Sequence, residues 1–226
     1  MASQTASAEA YMRVTLSSRA DSHGIAHSLA VANSSLEILK ITLTSQAPNF
    51  TELNLTNTPE TIVYVAGLLH DICDHKYADN DPTALQIFIK ELLGVNDAEV
   101  VKRIIDYGSY SKQKKGVVRL ADLEPPMRFL RDVVSDADKI EAIGGVGVDR
   151  CIAYQRENAN GDVSEAMIMA DVRQHCDDKL LRLYGEFIYT AGGRAIAKPA
   201  HEEIVKWCEE YDEGKRKEDV NKETES

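Results

Sequence analysis

The sequence predicts an all-α protein. Apolar residues recur at steps of three and four along most of the chain, as they do on the buried face of a helix. Pro and Gly mark many of the expected helix ends, and no stretch alternates apolar and polar residues for long enough to form a strand. The chain has 226 residues, of which 43% are hydrophobic and 28% charged. This composition allows a well-buried core without disulfide staples.

The first half of the chain has the most regular helical patterns. From the apolar spacing we expect helices over residues 22–43, 61–72, 82–93 and 97–107. The Asn/Thr/Pro-rich segment between the first two predicts a loop that ends in Thr58-Pro59. There the threonine would cap the next helix and the proline would occupy its first turn. Asp81-Pro82 opens the following helix in the same way, and Gly94 stops it.

The second half is less regular. A basic, polar loop is expected over residues 109–119, followed by a helix that starts at Pro125-Pro126 and stops at Gly144-Gly145. A less regular section then runs through Gly161. Two more helices are expected at about 171–190 and 199–212. The predicted organisation is a helical N-terminal segment at 1–20, one helical domain at 21–212 and a disordered charged tail at 213–226.

Charge and cysteine content narrow the function. The chain has 26 basic and 37 acidic residues, a formal charge of −11, which disfavours nucleic acid and anionic membranes as partners. A small phosphate ester stays possible, because a metal ion and a few basic groups could meet its charge locally. The four cysteines form no CxxC pair, and neither a signal peptide nor an apolar run of roughly 20 residues is found. We therefore expect a soluble, intracellular, cytoplasmic protein.

Histidines and acidic residues are the candidates for chemistry. His23 and His27 lie four residues apart and so share one helix face, although two solvated histidines would show the same spacing. His70-Asp71 follows a strongly apolar helix, where a polar pair is otherwise out of place. Asp74 is close enough in sequence to converge with it. A later helix carries Asp136 and Asp138 on opposite flanks of its apolar stripe, so only one of them can easily face a common site.

The order of His27, His70-Asp71 and Asp138 resembles the H…HD…D signature of the HD-domain metal-dependent phosphohydrolase superfamily. Four segments resemble successive blocks of one subgroup, whose best-known activity is nucleoside triphosphate pyrophosphohydrolysis. They are DSHGIAHSLAV, AGLLHDICDHKY, VSDADKIEAIGGVGVDR and HCDDKLLRLYGEFIYTAGGRAIA. The resemblance extends from about residue 21 to about residue 211 and so covers most of the chain. The resemblance implies a single HD-domain helical bundle with a metal site between core helices. One departure is Ala30, where the family usually has arginine.

The resemblance also implies roles for residues. The metal ligands would be His27, His70, Asp71 and Asp138, with Asp138 preferred over Asp136 because the family ligand directly precedes the basic residue. Two nitrogens and two carboxylates suit Mn²⁺, Fe²⁺, Co²⁺, Ni²⁺ or Zn²⁺ without choosing among them. The other candidates are residues near these ligands in sequence: Asp74 and Lys76 as catalytic groups, and His23, Lys139 and Arg150 as substrate contacts.

The predicted function is divalent-metal-dependent hydrolysis of a nucleotide, with (d)NTP pyrophosphohydrolysis as the first hypothesis. Two alternatives remain open: a phosphomonoesterase of the 5′-nucleotidase type, and a non-catalytic module that senses a nucleotide or metal. The expected partner is a small phosphorylated substrate, with no nucleic acid and no membrane. The sequence leaves the oligomeric state open, with a homodimer among the options.

Overall fold

Every regular element is a helix in the part of the chain that the computed structural model describes, residues 2–17, 19, 24–45, 48–73, 81–159 and 163–224. In chain order the α-helices are α1 Ala2–Thr15, α2 Ile25–Ser45, α3 Pro59–Leu69, α4 Pro82–Leu93, α5 Val95–Gly108, α6 Tyr110–Lys114, α7 Pro125–Ile140, α8 Gly145–Asn158, α9 Glu165–His175 and α10 Ala191–Thr224. Short 3₁₀ turns lie at Phe50–Leu53 and Leu120–Asp122, and π-helical turns at Cys176–Leu180 and Leu183–Phe187. The all-α prediction is confirmed.

Two helix starts lie where the sequence predicts them. The Thr58 hydroxyl accepts a hydrogen bond from the N–H of Thr61 at 3.4 Å, and α3 begins at the residue after this cap. The Asp81 carboxylate accepts from the N–H of Thr83 at 2.8 Å, and α4 begins in the same way. In each case the side-chain oxygen satisfies an N–H that the first turn leaves open, and the following proline needs no such partner.

Two segments predicted to be irregular are helical. The basic segment 109–119 contains the short helix α6, whose first turn is capped by the Ser109 hydroxyl, which accepts from the N–H of Lys112. The section after Gly144 forms α8 instead of irregular chain. Gly144 has a φ of +86° and stands directly before this helix. The glycine run therefore also begins a new helix, because glycine adopts positive φ without the steric cost of a Cβ atom.

Helices α9 and α10 differ in extent from the predicted pair at 171–190 and 199–212. Helix α9 begins earlier, at Glu165, because the Ser164 hydroxyl accepts from the N–H of Met167 at 3.3 Å and caps its first turn. It also ends earlier, and the two π-helical turns follow it. A continuous apolar spacing in the sequence therefore corresponds to an α-helix followed by wider turns.

The charged C-terminal segment also differs from its prediction. Its composition predicts disorder over 213–226, but α10 continues through Thr224. Oppositely charged side chains one turn apart support this helix, for example Lys206 and Glu210 at 3.6 Å. The domain boundaries at residues 21 and 212 stay a prediction.

The chain divides into two compact units. The first comprises Met1–Asp138 and Ile188–Arg194, and the second comprises Lys139–Phe187 and Ala195–Ser226. In the second unit, Tyr184 stacks on His201 with ring centroids 4.6 Å apart. No helix in the described ranges combines the length and the apolar character needed to cross a membrane.

The close packing of α2 on α3 organises the first unit. Gly67 lies so near α2 that a Cβ atom at this position would stand 2.8 Å from the Cα of Ala32. Both residues are fully buried within the unit. Because only glycine permits this approach, the two helices can bring His27 on α2 and His70 just after α3 toward each other. The imidazole centroids are 5.2 Å apart.

Candidate metal centre

Four polar side chains from three helices converge in the first unit. His27 Nε2 lies 3.7 Å from Asp71 Oδ2 and 3.5 Å from Asp138 Oδ1. His70 Nε2 lies 3.4 Å from Asp71 Oδ1 and 3.6 Å from the same oxygen of Asp138. His27 comes from α2, the pair His70-Asp71 follows α3, and Asp138 comes from α7. The histidines are 5% and 11% exposed, whereas Asp138 is 33% exposed and so opens the cluster to solvent.

The spacing of the donor atoms of His27, His70 and Asp138 fits a single divalent cation. Ligand atoms around a tetrahedral zinc ion lie about 3.4 Å from one another, given metal–ligand distances of about 2.1 Å. One donor atom each from His27, His70 and Asp138 lies within 4.8 Å of the other two. Asp71 approaches the two histidines with different carboxylate oxygens, at 3.7 and 3.4 Å. Two imidazoles and two carboxylates are a donor set that first-row divalent metals accept.

The orientation of His70 supports the same interpretation. Its Nδ1 lies 2.8 Å from the carbonyl oxygen of Gly67. A carbonyl can only accept, so Nδ1 carries the proton in this contact and Nε2 faces the carboxylates. Nε2 is buried and makes no hydrogen bond of good geometry in the described structure. A metal-bound histidine typically shows this arrangement, with the second ring nitrogen held by a carbonyl.

The electrostatic environment favours the protonated, positively charged form of the His70 imidazole. Burial acts to lower the pKa of His70, but the neighbouring carboxylates of Asp71 and Asp138 outweigh it and raise the pKa to about 10. Without a metal, the imidazole is therefore held as a cation between two carboxylates. A divalent cation would take over that charge by displacing the proton, because metal ligation requires the neutral ring.

The structure separates the two aspartates of α7. Asp136 is fully buried and accepts hydrogen bonds from the N–H of Tyr189 at 2.9 Å and from the N–H and hydroxyl of Thr190, both at 2.8 Å. Asp138 faces the two histidines instead. Asp136 therefore attaches the segment 188–194 to α7, and Asp138 is the aspartate of this helix that reaches the cluster.

Arg19 is a neighbour of the cluster that the sequence patterns do not indicate. Its Nη1 donates to the carbonyl oxygen of Asp71 at 2.6 Å, and its Nη2 donates to that of Ile72 at 2.5 Å. An isolated arginine outside any motif carries no signal for such a contact. The bonds from Thr190 to Asp136 likewise join residues 54 positions apart, which no local pattern reveals.

The other predicted site residues either lie outside the described part of the chain or belong to the second unit. His23, Asp74 and Lys76 lie outside the described residues. Lys139 and Arg150 belong to the second unit. Lys139 is buried, and Arg150 donates through Nη1 to the carbonyl oxygen of Glu141 at 3.1 Å. The catalytic and substrate-binding roles of these five residues remain predictions.

Sequence comparison yields distant relatives. No family model matches the chain. The uncharacterised protein YpgQ of Bacillus subtilis is 26% identical over 155 residues, which span 67% of this chain and 71% of YpgQ. An uncharacterised protein of Acanthamoeba polyphaga mimivirus is 27% identical over 141 residues, spanning 58% of this chain and 53% of its own length.

Solved structures resemble almost the whole chain. YpgQ in complex with ADP aligns with a TM-score of 0.64 and 22% identity over 94% of this chain and 95% of its own. A Lactobacillus plantarum protein aligns with a TM-score of 0.69 at 18% identity, over 95% and 97% of the two chains. An HD-superfamily hydrolase from Bacillus thuringiensis gives 0.57 at 17% identity and the same two coverages. The chain thus shares its all-α fold with these solved structures, among them an HD-superfamily hydrolase. Its His/His/Asp cluster is compatible with a divalent metal.

Proposed function

We propose that this protein is a divalent-metal-dependent phosphohydrolase that acts on nucleotides, with (d)NTP pyrophosphohydrolysis as its reaction. The observation that carries the proposal is the convergence of two imidazole Nε2 atoms and two carboxylates, with nitrogen-to-oxygen distances of 3.4–3.7 Å, in a partly exposed cluster. A purely structural cluster of this kind would place two carboxylates beside buried histidines with no benefit beyond charge balance.

The proposed ligands are His27, His70, Asp71 and Asp138. When bound, a divalent cation supplies Lewis-acid polarisation of a phosphoryl oxygen and lowers the pKa of a bound water. The protein's own contribution is orientation: the Gly67 carbonyl holds the ring of His70, and the close packing of α2 on α3 sets the separation of the histidines.

The chain also has candidates for proton transfer and for phosphate contacts. Asp74 follows the ligand pair closely and would accept the proton of the attacking water. Lys76, Lys139 and His23 are sequence neighbours of ligands and would contact phosphate oxygens as cations, with Arg150 as a further substrate contact. These assignments rest on sequence and on the resemblance to the HD superfamily.

The nucleotide class rests on the relatives. YpgQ of Bacillus subtilis was crystallised with ADP, and the Bacillus thuringiensis structure is that of an HD-superfamily hydrolase. Both share the fold with this chain over more than nine-tenths of its length. A nucleotide polyphosphate also suits the charge of the protein, because a bound cation and adjacent basic groups can meet the phosphates locally despite the net charge of −11.

Product analysis tests the proposal. The purified protein, loaded with Mn²⁺ or Co²⁺, is incubated with a panel of ribo- and deoxyribonucleotides, and the products are separated by ion-exchange chromatography. Pyrophosphate plus a nucleoside monophosphate is the expected result, whereas orthophosphate plus a nucleoside would indicate the phosphomonoesterase alternative. Nucleotide binding without turnover would indicate a sensing module.

Variants connect the activity to the cluster. His70→Ala and Asp71→Ala should lose both bound metal and turnover. The matched control is Glu37→Gln, an exposed position on α2 away from the cluster, and it should behave as the unmodified protein does. If no nucleotide is hydrolysed and both alanine variants keep their metal content, the proposed function is wrong.

A further inference from the structure

We infer that Arg19 is a positioning residue that holds Asp71 in the geometry needed for metal binding. The inference rests on the proposed metal centre and extends it to a residue outside the ligand set. Arg19 donates from Nη1 to the Asp71 carbonyl at 2.6 Å and from Nη2 to the Ile72 carbonyl at 2.5 Å. The guanidinium thus spans two successive peptide groups, one of which belongs to a proposed ligand.

Both carbonyls lie in the turn that directly follows α3, which ends at Leu69. Two parallel N–H groups of a planar guanidinium match two neighbouring carbonyl oxygens, and the group stays charged at all relevant pH values. A cation near a helix C-terminus is also favoured by the helix dipole.

Fixing this backbone fixes the side chain. The orientation of the Asp71 carboxylate depends on the direction of its Cα–Cβ bond, which the two flanking peptide planes set. The next residue, Ile72, is 1% exposed and packs into the core. The segment is therefore held from two sides, by the guanidinium on its carbonyls and by an apolar anchor beneath it. Asp71 has only its two side-chain torsions left to adjust toward an ion.

Arg19 follows α1 in the chain, but α1 is also held in the first unit by apolar packing of its own. Ala8, Met12 and Leu16 recur at four-residue steps and are at most 1% exposed, so a continuous apolar stripe docks the N-terminal segment. Loss of the guanidinium should therefore leave the fold in place and act on the ligand. This separates a positioning role from a merely structural one.

The test compares Arg19→Gln and Arg19→Lys with the unmodified chain. Mn²⁺ affinity is measured by titration calorimetry, the geometry of bound Co²⁺ by its visible absorption spectrum, and stability by urea unfolding in EDTA. Arg19→Gln should weaken Mn²⁺ binding by about 10- to 100-fold, as loss of an outer hydrogen-bond partner of a metal site does. It should also alter the Co²⁺ spectrum and move the unfolding midpoint in EDTA little. Arg19→Lys, which keeps the charge and loses the paired donors, should recover only part of the affinity.

The matched control is Arg13→Gln. Arg13 lies on α1, is 49% exposed and pairs with Glu9 one turn away at 2.6 Å, so its loss should change neither Mn²⁺ affinity nor the Co²⁺ spectrum. If Arg19→Gln keeps the original affinity and spectrum while His70→Ala loses the metal, the metal centre exists and the role of Arg19 is wrong. A lower unfolding midpoint in EDTA with unchanged affinity would also refute it. If the unmodified chain binds no metal, the proposed function itself fails.

Discussion

Two aspartates on α7, only two residues apart, lie in opposite surroundings. Asp136 is fully buried and accepts hydrogen bonds from two backbone N–H groups and one hydroxyl of the segment 188–194. Asp138 is one-third exposed, and its Oδ1 faces two histidine nitrogens at 3.5 and 3.6 Å. The first carboxylate accepts hydrogen bonds from a neighbouring segment, and the second faces two histidine nitrogens that could also bind a cation.

On this one helix, Asp136 serves the stability of the fold, and Asp138 belongs to the candidate metal centre. A buried carboxylate that is paired with backbone donors holds the tertiary structure together, because its removal would leave those donors unsatisfied. A one-third exposed carboxylate beside imidazoles contributes less to folding and can serve as a metal ligand. Four predictions test this division.

The largest effect is expected from Asp138→Asn. It should lower Mn²⁺ affinity and metal-dependent nucleotide hydrolysis by more than about 100-fold, because loss of a direct ligand should exceed the effect of losing an outer partner. Calorimetric titration and product chromatography measure the two losses, with Glu37→Gln as the control. Unchanged metal affinity in Asp138→Asn would remove this residue from the ligand set.

Asp136→Ala should mainly reduce stability instead of metal affinity. The N–H groups of Tyr189 and Thr190 would lose their acceptor, which should reduce the free energy of unfolding by about 3 kcal/mol. Urea unfolding in EDTA measures this loss, and Asp136→Asn, which keeps one acceptor oxygen, should lose less. If the alanine variant stays as stable as the original and loses its metal instead, the roles of the two aspartates are reversed.

Metal removal gives a third test. A cation that binds only the folded state should stabilise the protein by about 2.7 kcal/mol when its concentration is 100 times its dissociation constant. Mn²⁺ should produce this gain in the unmodified chain and in Asp136→Asn, and EDTA should reverse it. The gain should be absent in Asp138→Asn and His70→Ala. An equal gain in all four proteins would place the metal elsewhere.

The last prediction concerns the pH dependence of stability in the metal-free protein. The pKa of His70 is raised to about 10 in the folded state by Asp71 and Asp138, against burial, and is about 6.5 in an unfolded chain. The stability it contributes is therefore complete below about pH 6.5 and is lost as the pH rises through about 10. In EDTA, the stability difference between the original chain and His70→Gln should shrink across this range. A difference that does not depend on pH would contradict the assigned pKa.

The helical starts show what local sequence predicts well. Thr58 and Asp81 are followed by proline, and α3 and α4 begin there, because capping involves only residues two or three positions apart. Local rules failed at the glycine run, where Gly144 starts a helix as well as ending a segment. They also failed at the charged tail predicted over 213–226, where α10 continues through Thr224. In both places, composition described the residues without describing their partners.

The helical class and the order of the candidate ligands follow from local sequence, because periodicity, caps and short motifs are properties of neighbouring residues. Which side chains meet depends on tertiary packing. It brought His27 and His70 together through the contact between Gly67 and Ala32. It also directed Asp138 to the histidines and Asp136 to Thr190. These contacts join residues dozens of positions apart, and they depend on how helices pack, which no local pattern in the chain encodes.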